Sequence, residues 1–536
     1  MPAPLRPTHT FSVVAILLSA CGGGDEAPPA TPVTEDGSAV GTVSFPTSCS
    51  TAAQPVFEEA VAKLHSFWFE EARATFEEVM RLDPGCAMAR WGIAMTMWGN
   101  PMTRAAPPDE RVAMARAAIA EAETLAGSIT ARERAYLDAA AALYEGHPEV
   151  GHIDRMRAHE EAMRAVMEAN PNDPEAAIFY GRIVVGNAPP DDLTFSRQLR
   201  AAEIMEPLFQ ERPDHPGIAH YLIHAFDAPP IADDGLAAAL RYADIAPDAP
   251  HALHMPTHIF TRLGHWEESI ELNARSAAAE PDPDAAVHPL DYMVYAYLQL
   301  GRDREAGEVV ARARDIPDRF YGGLIGYNFA AMQARYALER NRWEEAAAVP
   351  IPVGALPYVE AVSRFARALG SARGGRLEEA RAEAATLAAL EGRLRDMNEA
   401  YWATVVGAQR LAAEAWIARA SGNDAEALRL ATAAADQEAT VEKHPVTPGP
   451  LLPAAELLGD LLLELRRPAD AGAAYARTLS TDPGRARALY GAARAAEAAG
   501  DNVAAAGYYG DLLTLLEGAD AERPDLVAAR AWQARR

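Results

Sequence analysis

Lysine is almost missing from this chain: of 49 basic residues only Lys63 and Lys443 are lysines, and the rest are arginine. The basic residues are themselves outnumbered by 76 acids, for a net charge of −27. Such a surface is poorly suited to neutralise a row of phosphates, so no nucleic-acid partner is expected. Cysteine is scarce too, and three in 536 residues cannot build a disulfide scaffold. Aromatic residues make up only 7% and alternating apolar runs are lacking, which argues against a sheet protein. What the chain does have is 49% hydrophobic residues, with alanine throughout. That composition fills a large core of closely packed helices.

The N-terminus carries the only membrane signal. Arg6 and His9 precede the apolar run FSVVAILLSA (Phe11 to Ala20), which ends at Cys21. This run is too short to span a bilayer and suits a signal-peptide core. Leu18-Ser19-Ala20-Cys21 resembles a bacterial lipobox, whose cysteine is lipidated and becomes the new N-terminus. The expectation is a signal peptide at 1–20, then a lipidated Cys21 and a disordered Gly, Pro and Thr-rich tether through residue 46. Such a protein sits at the bacterial cell envelope, on a membrane face. Export would leave Cys49 and Cys86 in an oxidising compartment, where they either pair or remain free thiols.

Past residue 50 apolar residues recur at helical spacing, broken by Gly, Asn or Asp-Pro every 12 to 20 residues. Pro213-Asp214, Pro247-Asp248 and Pro281-Asp282 follow one another at intervals of 34, with Pro317-Asp318 after 36. A second register pairs a Gly or Asn turn with a small residue five positions later: Gly301 and Ala306, Asn341 and Ala346, Gly375 and Ala380, Gly422 and Ala427, Gly500 and Ala505. This pattern resembles the tetratricopeptide repeat (TPR), a 34-residue helix–turn–helix unit. The resemblance implies an all-α fold, a TPR-like α-solenoid of stacked hairpins. The expected division is N-terminal hairpins over 47–200, His-rich repeats over 201–320 and C-terminal repeats over 321–536.

Histidine is unevenly spread. Seven of the 14 fall between His215 and His265. His220, His254 and His288 are 34 apart, as are His224 and His258, with Tyr292 next and Asn328 continuing the series. The two registers lie one helical turn apart and so share a face. In the TPR likeness, first helices line the concave surface, which implies a ladder of imidazoles along an inner groove. His-x-x-x-His pairs on neighbouring helices point to metal chemistry, because four ring nitrogens (His220, His224, His254, His258) could meet at one zinc or other transition-metal ion. His215, Asp227, His251, His288, Tyr292 and Asn328 are expected to line the groove around them. Neither pair has the glutamate of the zincin motif, and Pro256 is expected to distort the second face.

Three readings of the ladder stay open: a metal site, a polar groove for a peptide, protein or small ligand, and a structural role between repeats. HPGIAHYLIHAFDAP, APHALHMPTHIFTRLGHW and HPVTPGPLLPAAELLGD together resemble a group of bacterial TPR lipoproteins whose biochemical role is unassigned. That likeness implies the fold and names no activity. Nucleophile elbows, phosphate loops and dinucleotide fingerprints are lacking. The two function classes are therefore a lipid-anchored binding scaffold and, as the alternative, a metal-dependent enzyme using the His cluster. The scaffold is preferred, because a general base is missing.

Overall fold

The computed structural model describes residues 38–535 apart from 126, 128 and 317–322; the apolar leader, Cys21 and most of the tether lie outside them. Among the described residues every regular element is helical. The chain is an α-solenoid of TPR-like hairpins. Each helix packs against the next, and first helices also stack on first helices two elements away, as Gln54–His65 does on Ala87–Trp98 and Val287–Gln299 on Gly323–Leu338.

The small-residue register explains the close approach. Ala72, Ala306, Ala346, Ala380, Ala427, Ala471 and Ala505 are all fully buried where two helices of a hairpin cross. Five residues before each, the chain turns through the left-handed region, at φ of +70° for Gly301, +78° for Gly375, +79° for Gly422 and +78° for Gly500. Glycine meets that demand without strain. The same turn is made by Phe67 at φ +53° and Arg466 at φ +59°, where a side chain must be tolerated. The wide spacing between Ala380 and Ala427 has a simple cause. Helices Leu377–Asp396 and Ala400–Ala420 run 20 and 21 residues, against 14 for Trp266–Ala279 and 12 for Asp303–Arg314 in the regular part of the array.

The array does not remain an open superhelix. After helix Asp424–Glu438 the chain leaves helical geometry, and residues 442–450 run along the inner face of the His-rich repeats. Glu442 N donates to Pro190 O at 2.9 Å, Asn328 Nδ2 to Val446 O at 2.6 Å, and Arg335 to Pro450 O at 2.8 Å. Further along, Trp266 Nε1 donates to Gly484 O, and Asp520 N to Gly301 O, so the C-terminal repeats close back onto the middle. The concave wall expected to be an open groove is therefore covered by the chain itself.

Two other expectations change. Residues 38–46 are not free tether: Val40, Val43 and Phe45 are buried, and the segment is tied to the repeat turns. Ala39 N donates to Asp248 Oδ2 at 2.7 Å and Thr42 N to Asp214 O at 3.0 Å. The three apolar side chains spaced through an otherwise polar run are what dock it. Cys49 and Cys86, left open by the sequence, are joined as a disulfide.

Candidate functional site: a ladder of six imidazoles

His220 and His224 stand on helix Pro216–Phe226, and His288 and Tyr292 on helix Val287–Gln299. Between them Pro256 splits the middle first helix into Pro250–His254 and Pro256–Leu263. Proline in the first turn of the second piece needs no N–H donor, so the break is clean and the face survives. His254 and His258 still meet, Nε2 to Nε2, at 3.0 Å.

Spacings of four and 34 group His220, His224, His254 and His258 around one ion, and in the structure the grouping is different. The imidazoles gather in two trios, His220–His224–His251 and His254–His258–His288, each with nitrogens within 4.8 Å of one another. His251 and His288, expected only as groove lining, complete them. The reason is the helix rise: His220 is met by the start of the next first helix, where His251 lies, and not by His254 one turn further on. His220 and His251 approach Nε2 to Nε2 at 3.2 Å. The trios adjoin, with 6.0 Å between the rings of His224 and His258 and 6.1 Å between His251 and His254.

Hydrogen bonds fix the rings. His254 Nδ1 lies 2.6 Å from Asn273 Oδ1, and Asn273 Nδ2 donates to Ser269 O at 2.8 Å, so the amide oxygen faces the ring. His258 Nδ1 lies 2.8 Å from Asp227 Oδ2, and His220 Nδ1 lies 2.6 Å from His65 O. In all three rings Nδ1 must carry the proton, which leaves Nε2 as a bare lone pair. Outer partners of this kind set the tautomer of metal-binding histidines.

Asp227 is itself held by cations. Arg262 Nε donates to Oδ1 at 2.8 Å and Lys443 Nζ to Oδ2 at 3.2 Å, while Arg262 Nη2 also reaches Glu442 Oε1 at 2.6 Å. Burial alone would raise the Asp227 carboxyl, but Lys443 and Arg262 override it and hold it well below the usual carboxylate range. Burial pushes all six imidazoles down, with mutual repulsion adding to it. His224 falls to about 3, and His220, His251, His254 and His288 fall well below the ordinary value. His258 is lowered by burial and partly restored by Asp227. The ladder is therefore a set of neutral nitrogen donors at physiological pH.

Among the described residues, two nitrogens of the ladder find no hydrogen-bond partner. His224 Nε2 and His288 Nδ1, each on the third member of its trio, are buried without a hydrogen bond. Aromatic rings wall both trios. Phe67 lies 4.3 Å from His220 and 5.4 Å from His251, Tyr242 stacks on His220 at 5.3 Å, and Tyr292 sits 4.9 Å from His254 and 5.1 Å from His258. Phe67 occupies a left-handed turn position that four other repeats give to glycine, so backbone strain is spent to place a ring over the imidazoles.

Two expected groove residues belong elsewhere. His215 caps helix Pro216–Phe226 and reaches Glu175 Oε1 at 2.8 Å, while His65 takes Glu175 Oε2 at 2.9 Å and Tyr221 Oη at 2.9 Å. In that cluster the carboxylate satisfies both rings, and it reads as a buried tie between three helices. Asn328 is also out of the ladder, its amide spent on Asp291 and Val446 O. Tyr292 does border the second trio, and its hydroxyl lies 3.1 Å from Pro445 O and 3.2 Å from Thr447 O, holding the covering segment. Sequence reasoning missed the roles of Asn273, Arg262, Glu442 and Lys443. The signal for the last was available: it is one of two lysines in the chain.

No protein-family model matches the sequence, and neither does any curated protein. Among solved structures, the human IFIT1 dimer with m7Gppp-AAAA is similar at 14% identity and a TM-score of 0.38, over 88% of this chain and 92% of that one. The human IFIT1 dimer with PPP-AAAA is similar at 13% identity and a TM-score of 0.36, over 86% and 89%.

Proposed function

We propose that the imidazole ladder is a pair of three-histidine metal centres, and that the protein is an envelope-anchored TPR-like scaffold holding two transition-metal ions. One observation carries this. His254 Nε2 and His258 Nε2 face each other at 3.0 Å, while both Nδ1 atoms have their protons committed to Asn273 and Asp227. Two bare lone pairs at that distance repel unless a proton or a metal ion lies between them, and neutral rings leave the metal ion. The unpartnered nitrogens of His224 and His288 fit the same reading, since an orphaned buried polar atom costs about 1–3 kcal/mol. Bonds near 2.1 Å bring donors within about 3.5 Å of one another, and each trio's nitrogens already lie within 4.8 Å.

The covering segment 442–450 weighs against the peptide-groove reading, because a peptide would have to displace it. A catalytic role is the second reading. His251 and His288 are each only half-buried, which gives each trio an edge toward solvent. Three-histidine sites with an open position are those at which metal-bound water reacts. The envelope location rests on Leu18-Ser19-Ala20-Cys21 and agrees with the Cys49–Cys86 bond, since disulfides persist in oxidising compartments.

Elemental analysis of protein purified without a histidine tag tests the reading. The wild type should retain two ions per chain after dialysis. The pair His220→Ala and His224→Ala should lose one, and the pair His254→Ala and His288→Ala the other. Retention of no metal above the dialysis buffer would refute it.

A further inference from the structure

Resting on that reading, the charges around the ladder say which ion it takes. The donors of both trios are imidazole nitrogens, with no carboxylate or thiolate among them. The charged side chains that hold the ladder's outer partners already balance: Asp227 and Glu442 against Arg262 and Lys443. On the far side of Phe67 lies Arg182, a fully buried guanidinium 5.2 Å from that ring, whose Nε and Nη1 have no partner. Two more buried carboxylates lie behind the ladder, and both are already engaged: Glu175 by the rings of His65 and His215, and Asp291 by Arg335.

The solvation cost of a buried ion rises with the square of its charge. Two dications would place four positive charges beside Lys443, Arg262 and Arg182, and each would still need a fourth donor that the protein does not offer. A monovalent ion halves the added charge. Cuprous copper is the biological transition-metal ion that is monovalent, accepts imidazole, and is saturated by three donors without water or an anion. Hard cations are excluded by the lack of oxygen donors.

We propose that each trio binds one cuprous ion, making the ladder a two-copper site, and that Lys443 acts as the charge filter that disfavours divalent competitors. Lys443 sits one contact behind the donors, 3.2 Å from the carboxylate that orients His258. Its ammonium repels a dication twice as strongly as a monocation at the same place.

The test is competition under anaerobic, reducing conditions on the full folded chain. Protein loaded with Cu(I) or with Zn(II) is titrated with a chromophoric cuprous chelator or a fluorescent zinc chelator. Two cuprous ions per chain should survive a hundredfold chelator excess that strips zinc completely. Lys443→Leu should raise zinc affinity at least tenfold and cuprous affinity by about half that factor on a logarithmic scale, roughly threefold. Zinc held as tightly as copper by the wild type would overturn the cuprous assignment and leave the paired sites standing. Loss of both metals would overturn the metal reading itself. Equal shifts for both ions in Lys443→Leu would overturn the filter.

Discussion

Asp227 is the residue on which the charge argument is most exposed to test. Its carboxylate is 6% exposed and accepts from Arg262 at 2.8 Å and Lys443 at 3.2 Å while orienting His258 at 2.8 Å. At an effective dielectric of about 20, a pair at 3.2 Å gains roughly 5 kcal/mol before desolvation is subtracted. Asp227→Asn keeps the shape and removes the charge. Arg262 then still has Glu442 at 2.6 Å, but Lys443 is left as a buried cation whose carboxylate partner is gone. Breaking a buried pair from one side costs about 3–5 kcal/mol, a large part of the 5–15 kcal/mol that holds a domain. Adding Lys443→Leu removes the stranded charge, so the double variant should recover about 2–3 kcal/mol of that loss. The assay is a double-mutant cycle by urea unfolding of metal-free protein at pH 7.5. A cost below about 1 kcal/mol for Asp227→Asn, or a double variant no more stable than the single one, would refute the reasoning.

Two further outcomes follow from the same structure. Burial holds His65 and His159 down at about 4 and His224 at about 3, so unfolding frees imidazoles that take up protons below about pH 6.5 while the folded ones do not. Stability of the metal-free protein is then full above pH 7 and falls by up to roughly 3 kcal/mol per group toward pH 4, so its urea midpoint should drop between pH 7.5 and 5; an unchanged midpoint would contradict the neutral ladder. Cys21→Ala should shift the protein from the membrane fraction to the soluble one or leave it unprocessed, and a variant that still sediments with membranes as the wild type does would remove the lipid anchor.

The fold was legible because its signals are local and repeated. A turn and a small residue five positions later recur in many of the hairpins, and the buried alanines at 306, 346, 380, 427 and 505 sit where that register puts them. The ladder was legible for the same reason, since intervals of four and 34 place side chains on one face of stacked helices. What periodicity could not supply was the rise of each helix relative to its neighbour. That offset exchanged His254 for His251 as the partner of His220, and so made two trios of what the spacing made one quartet. His215 was misplaced because its partner, Glu175, comes from a helix 40 residues earlier with no periodic relation to it.

The covering segment was invisible for a different reason. Residues 442–450 contain no helix and no repeat signal, and they reach the ladder only because the solenoid curves far enough to bring residue 443 beside residue 227. Yet they decide what the inner wall can do. An open TPR-like groove binds extended peptides, and the imidazoles would then be wet, titrating near their ordinary values. Closed by its own chain, the same wall becomes a largely buried interior in which burial pushes six imidazoles down and two Nε2 atoms are held 3.0 Å apart. The position of Lys443 therefore serves two ends at once. It locks the cover onto Asp227, and it sets the charge that an incoming ion must overcome. Arg262 puts its guanidinium on one carboxylate oxygen of Asp227, and Lys443, one of two lysines in the chain, puts its compact ammonium on the other.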